Sequence, residues 1–441
     1  MTVYSLCFFY ANHLSRPENM SIQLVTNTND NGLGSLRAAI AAAAPGDTIA
    51  FSPLLANQTI TLTSGQITIP PGKSLIIDGS AAPNLAISGN NSSRIFYVQS
   101  TGVQPTTFTV QNLTLANAYT NGNGGAIYAE FRANTVINNV TFNANTADNG
   151  GGGIYSAWES NLSVNNSRFT NNVATAGNNE RGAGGIAFVS PGTFTVTNSV
   201  FEGNKGINGA AINSLNGKLT IDNTRFLNND TTAGFYDTGN LNPFLRGYGG
   251  ALYTDRASST TETAGTIRIT NSVFEGNRGK GEGGAAYLFT ANGQDNVIID
   301  RTQFVNNSVQ ALGGSGARGN GGGVVILANE DNKGVSLSNT TFANNTATNQ
   351  GGGLWLSNAP ATIANSTFSG NRALATDFNG NGGAINVSNA ATNIVNSTFA
   401  NNYAGWVGGA ISAGNDPVTV SNTIFAANTA FNGGNPWNIL Q

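Results

Sequence analysis

One pattern recurs ten times along the chain: Asn, then Ser, Thr or Val, any residue, Phe, two further residues and Asn. The phenylalanines are Phe142, Phe169, Phe201, Phe226, Phe274, Phe304, Phe342, Phe368, Phe399 and Phe425, at spacings of 27, 32, 25, 48, 30, 38, 26, 31 and 26. Asn stands three residues after every one of them, from Asn145 to Asn428. It also stands three residues before nine of the ten, Arg301 being the exception. A second element, Gly-Gly-[Ala/Gly]-[Ile/Leu], recurs in phase with the first. It is clearest at Gly124, Gly249, Gly382 and Gly408, and looser copies begin at Gly151, Gly184, Gly209, Gly283, Gly322 and Gly351.

A repeat near 26 residues, built from short alternating runs such as Val418–Val420 and Leu219–Ile221, fits one coil of a parallel β-solenoid. One coil cannot bury its inward face alone, so coils stack about 4.8 Å apart and equivalent residues fall into columns. The Phe column becomes an aromatic pillar in the core. The Asn columns become amide ladders that saturate turn carbonyls. Ten equivalent residues at ten equivalent places read as scaffold. Parallel crossovers make the coil right-handed. The expected fold is thus all-β: a single-stranded right-handed parallel β-helix, similar to the pectate-lyase solenoid, over residues 101–441.

Composition agrees. Asn (66 residues) and Gly (57) exceed a quarter of the 441, and both suit tight turns. Charged residues are only 9%, yet 39% are apolar, so a core is affordable without the charge that drives disorder. The net charge is −3 and no basic patch forms, which argues against nucleic acid as partner. Cys7 and His13 are single, so a disulfide, a zinc cluster or a histidine base is not expected. No apolar run is long enough for a transmembrane helix. Residues 1–20 read as a disordered or mis-assigned tail, and as a poor signal peptide.

At these residues the chain resembles the repeats of polymorphic outer-membrane proteins, bacterial surface autotransporters and adhesins. The resemblance spans roughly residues 112–435. It implies a β-helix passenger exposed at a cell surface. No translocator barrel is read after the last repeat, so the export route stays open.

Residues 21–100 read as an N-terminal cap and first coils. Ile22–Thr26 is an expected strand. Ser35 then caps a short helix over 36–44, stopped by Pro45-Gly46, which makes a lid for the first coil. Gly34-Ser35-Leu36-Arg37-Ala38-Ala39-Ile40 followed by Gly46-Asp47-Thr48-Ile49 is similar to the CSLREA-type segment that begins many bacterial β-helix proteins. Gly34 stands where that segment carries Cys, so no thiol chemistry is implied. At the far end, either Trp437 and Leu440 fold over the last coil or a partner stacks there. The oligomeric state is not legible.

Function on a rigid scaffold sits where coils differ. Three residues past the second Gly of each glycine motif, side chains are expected to point outward. That column holds Tyr128, Tyr155, Phe188, Tyr253, Tyr287 and Trp355, and Trp158 beside Glu159 extends it. Aromatic faces stack on sugar rings, so the column is a candidate carbohydrate-binding stripe for a polysaccharide or cell-surface glycan; a purely structural aromatic ladder explains it as well. Insertions between residues 230 and 320 could wall a groove carrying Tyr236, Asp237, Arg246, Asp255 and Glu282, where drift is the simpler explanation. These side chains could serve a polysaccharide lyase or a glycoside hydrolase, but no catalytic residue is marked. No metal site or cofactor is implied; calcium stays open without being signalled, because the Gly-Gly motifs run into apolar residues rather than Asp. The leading reading is a surface or secreted binding protein, with an enzyme or a passive structural module as alternatives.

Overall fold

Every Phe of the repeat lies directly over the next. The computed structural model describes residues 21–177, 181–234, 247–258, 264–290, 293–312, 319–328, 334–414 and 417–432. The tail 1–20 and the terminal Trp437 and Leu440 lie outside them. Among the described residues, strand pairing runs in parallel from Phe142–Phe169 through Phe399–Phe425. Ring centroids are 4.4–5.1 Å apart and all nine successive pairs are stacked. Leu115, Ile87 and Ile60 extend the same column toward the N-terminus.

Each coil gives one strand to a twelve-stranded parallel sheet that begins with Ile67–Ile69 and ends with Ile411–Ala413. Most of the remaining strands form a 25-stranded sheet, whose two faces are continuous through the ten-residue strands Thr107–Ala116 and Asn134–Asn143; short strands after the inner Asn position form a two-stranded and a six-stranded sheet. In the other coils a residue in the left-handed region breaks that strand in two. It sits three residues before the Phe, with φ between +46° and +52°; Asn139 holds the equivalent place, at φ +53°, inside the unbroken strand Asn134–Asn143. Asn tolerates this conformation better than other side chains, which is why nine of the ten positions carry it. Two residues after each Phe the backbone is left-handed again, at Asn, Gly or Ala.

The inner Asn ladder satisfies the turn that follows. Asn229 donates through Nδ2 to Asn277 Oδ1 at 3.0 Å and to the Phe201 carbonyl at 3.0 Å, and its backbone N–H reaches the same Asn277 oxygen at 2.9 Å. A second ladder, made of hydroxyls, runs two residues before the Phe column. Ser167 N–H donates to Ser199 Oγ (3.1 Å), and Ser167 Oγ donates to the Asn165 carbonyl (2.8 Å). This is the physical reason for Ser or Thr after the first Asn of the motif.

The first coil is closed by the helix Leu36–Ala42, which buries Leu36, Ala39 and Ile40. Ser35 caps it by accepting from Ala38 N–H at 3.2 Å. The helix ends two residues earlier than the Pro-Gly stop suggested. Asp47 takes over at that point, accepting from Ala44 N–H and Ser21 N–H at 2.9 Å each.

Candidate functional site

The outer face of the twelve-stranded sheet carries the expected aromatic column, with two changes. The in-register residues are Tyr97, Tyr128, Tyr155, Ala187, Asn213, Tyr253, Tyr287, Val325, Trp355, Asn386 and Ser412. Phe188 is not among them. It points inward, fully buried, and stacks on Phe194 at 4.8 Å. Ala183 fills the slot of the first motif Gly in that coil, so Gly184-Gly185 lies one residue later than the pattern places it. A slip of one residue turns a strand side chain to the opposite face. Tyr97 joins the column although no Gly-Gly motif precedes it; its signal was Ile95-Phe96-Tyr97 running parallel to Ala126-Ile127-Tyr128.

The middle of this face is covered. Tyr155, Tyr253 and Tyr287 are 4%, 4% and 6% exposed, so the open stripe read from the sequence is absent there. They form an apolar layer with Ala187, Val189, Leu215 and Val325, against which Tyr248 and Phe289 pack. Tyr248 stacks on Tyr287 at 4.4 Å. Burial, helped by Tyr248 and Glu282, raises the Tyr287 phenol well above its ordinary range. Trp355 remains half-buried.

Of the groove candidates, Tyr236, Asp237 and Arg246 lie outside the described residues. Asp255 and Glu282 sit on adjoining coils at opposite ends of the covered layer. Asp255 is level with Phe289, and Glu282 precedes the Gly283-Gly284 turn. Burial pushes the Asp255 carboxyl up, and Arg256 at 3.7 Å opposes it. Glu282 accepts from Asn320 Nδ2 at 3.2 Å. No cluster of three His, Cys, Asp or Glu able to hold a metal occurs among the described residues.

Open aromatic surface occurs instead at the N-terminal end of the same face. Tyr97 and Tyr128 are half-exposed and stack at 5.5 Å with 4° between their planes. The Arg94 guanidinium lies 5.6 Å and 5.3 Å from the two ring centroids. Arg94 is held from behind by donating to the carbonyls of Gly124 and Asn123, at 2.8 Å each. The Tyr97 hydroxyl donates to Glu130; burial and that carboxylate push the phenol up to about 12. Past the strand end, Phe131 and Trp158 occupy equivalent turn positions on consecutive coils, each 40% exposed. Arg132 N–H donates to the Trp158 carbonyl at 3.0 Å, locking one turn to the next. Arg132 covers one side of Phe131 at 4.7 Å and pairs through Nε with Glu159 at 2.5 Å. Both members of that pair are in the left-handed region, at φ +63° and +58°. Bulky charged residues adopt it only under constraint, and such strain gathers at functional places. The result is a turn edge with two partly exposed aromatic rings, flanked by a guanidinium and a carboxylate.

The Chlamydia polymorphic membrane protein repeat matches residues 139–157, 339–357 and 365–388. Each match runs from the left-handed Asn, through the Phe and the inner Asn, to the strand on the twelve-stranded sheet. Three coils thus match the polymorphic-membrane-protein repeat. The polymorphic-membrane-protein repeat accounts for the two Asn positions, the Phe and the Gly-Gly turn together, as one coil. No curated protein matches the chain. Among solved structures the chain is similar to tailspike protein 3 of bacteriophage CBA120, at 13% identity over 91% of this chain and 59% of that one, with TM-score 0.47. It is also similar to a mannuronic acid specific polysaccharide family 6 lyase from human gut microbiota, at 9% identity over 92% and 87% of the two chains, TM-score 0.43. A third is PfbA, a surface adhesin of Streptococcus pneumoniae, at 12% identity over 87% and 86%, TM-score 0.30. At these identities the likeness is one of fold.

Proposed function

We propose that this chain is a bacterial cell-surface or secreted β-helix that binds glycans, with an adhesin-like role, through the edge formed by Tyr97, Tyr128, Phe131 and Trp158. The observation that carries the reading is the exposure of Phe131 and Trp158 on adjacent coils beside the Arg132–Glu159 pair. Sugar rings have apolar C–H faces and polar rims. Two aromatic plates separated by about one rung, about 4.8 Å, take the faces of neighbouring rings. Arg132 donates to ring hydroxyls and Glu159 accepts from them, each already oriented by the other. The polymorphic-membrane-protein repeat supports a place at the cell surface. A glycan array probed with the full chain and with the Phe131→Ala/Trp158→Ala variant tests this. Retention of some glycans by the native chain and the loss of those glycans in the variant is expected. Equal retention by both would refute the assignment to this edge, and retention by neither would refute glycan binding.

The second reading, polysaccharide cleavage, draws on Asp255. Its raised carboxyl has the character of a general acid, with Glu282 on the same face. A reducing-sugar and unsaturated-product assay on uronic acid polymers, with Asp255→Asn as control, decides between binding and cleavage.

A further inference from the structure

A different face carries a second feature. Five consecutive strands, Asn296–Asp300, Val335–Ser338, Ala361–Ala364, Thr392–Val395 and Val418–Ser421, floor an open groove of about 700 Å³. Ile298, Ser336, Thr362, Asn393 and Thr419 stand in register along its length. Four rung spacings of about 4.8 Å make it about 19 Å long. The strand entries, among them Pro360 and Pro417, line one side. Among the described residues, no Asp, Glu, Lys or Arg lines it.

The polar groups of this floor are uncommitted. Ser336, Thr362, Asn393 and Thr419 are exposed, and none of their side chains hydrogen-bonds to another described residue. In the next exterior column the opposite holds: Asp300 accepts from Ser338 at 2.7 Å and from Asn339 at 2.8 Å. At the head of the groove, Asn296 Oδ1 is buried without a hydrogen-bond partner. A buried acceptor left unpaired is costly and seldom retained without use. The strand backbones below are paired with their neighbours through the sheet, so a peptide laid on this floor finds no main-chain ladder.

We infer that this groove is a binding site for a linear, uncharged polysaccharide lying along the helix axis, one sugar ring per rung. The inference rests on the glycan-binding reading above and extends it to a second place on the chain. An extended glycan advances by about one rung per ring, so each ring meets one hydroxyl or amide of the column. Ile298, Pro360 and Pro417 offer apolar surface to ring faces. The described lining carries no charged side chain, which favours neutral chains over uronic acid polymers.

The test is a titration calorimetry series with neutral linear oligosaccharides of two, four and six rings, on the full chain and on three variants. Native affinity should rise about tenfold from two rings to six, as two or more further hydrogen bonds form. Thr362→Trp, which fills an exposed position of the groove, should abolish that rise. The shape-preserving triple variant Ser336→Ala/Thr362→Val/Asn393→Leu should do the same. Phe131→Ala/Trp158→Ala should keep it. Length dependence that survives both groove variants but is lost in Phe131→Ala/Trp158→Ala overturns the groove and leaves the edge standing. Length dependence lost only in the groove variants upholds the groove, whatever array retention shows for the edge. Stronger binding of uronic acid oligomers than of neutral ones overturns the ligand class.

Discussion

Asn172 donates twice to one oxygen of Asn204: through its backbone N–H at 3.0 Å and through Nδ2 at 3.0 Å. Asn204 in turn donates to the Phe169 carbonyl at 2.9 Å. One amide therefore satisfies three buried groups that the turn leaves open.

Replacing Asn204 by Ala takes a partner from all three, although Asn172 Nδ2 keeps the Phe142 carbonyl at 3.1 Å. Each unpaired buried group costs about 1–3 kcal/mol, so the variant should lose about 2 kcal/mol or more. Asn166→Ala, in the exposed outer column, should lose only about 1 kcal/mol, the cost of Ala in a left-handed position. Urea unfolding midpoints of the two variants measure the difference. Equal losses would mean the inner ladder adds nothing beyond conformation.

Ala144 and Ala427 hold φ +53° where other coils carry Asn or Gly. Ala144→Gly should therefore stabilise the chain by up to about 1 kcal/mol, despite the extra freedom of Gly in the unfolded state. Gly203→Ala, at φ +64°, should act in the opposite sense. Thermal unfolding of both variants gives the signs directly.

The N-terminal cap should be acid-sensitive. Hydrogen bonds from Ser21 and from the Ser21 and Ala44 N–H groups hold the Asp47 carboxyl at about 2. Asp30 is also held well below its ordinary value; burial opposes this, but Ser64, Arg37 and Thr63 outweigh it. A carboxylate depressed in the folded state stabilises fully above its unfolded value, near 4, and loses that contribution as pH falls toward the folded one. Protection of the amides of residues 36–42, taken relative to their intrinsic exchange at each pH, should fall between about pH 4 and pH 2, ahead of the central coils, and Asp47→Asn should remove much of that dependence.

Phe188→Ala should cost about 3–5 kcal/mol, as for a large core side chain, and leave glycan retention unchanged in the folded fraction. Chemical denaturation and array retention, measured on one preparation, separate the two effects.

The coil, the Phe pillar and the inner Asn ladder were legible in the sequence because stacking makes equivalent residues identical. Ser35 and the short helix were legible for a local reason, cap and stop lying within ten residues. Phe188 was misplaced because Ala183 can stand where the motif has Gly, and one residue inverts a strand. The burial of Tyr155, Tyr253 and Tyr287 was not legible at all: it depends on what packs over the sheet, such as Tyr248, and that comes from a connection with no repeat. The turn edge was half legible. Trp158 was noticed beside Glu159, but Phe131 is its equivalent only once Tyr128 and Tyr155 are known to pair.

The most direct measurement is the fluorescence of Trp158 as sole reporter, in a chain with Trp355, Trp406 and Trp437 replaced by Phe. Titration with a glycan retained on the array should shift and saturate the Trp158 emission at the concentration at which retention saturates. Saturable retention with an unchanged Trp158 spectrum would contradict glycan contact at this edge.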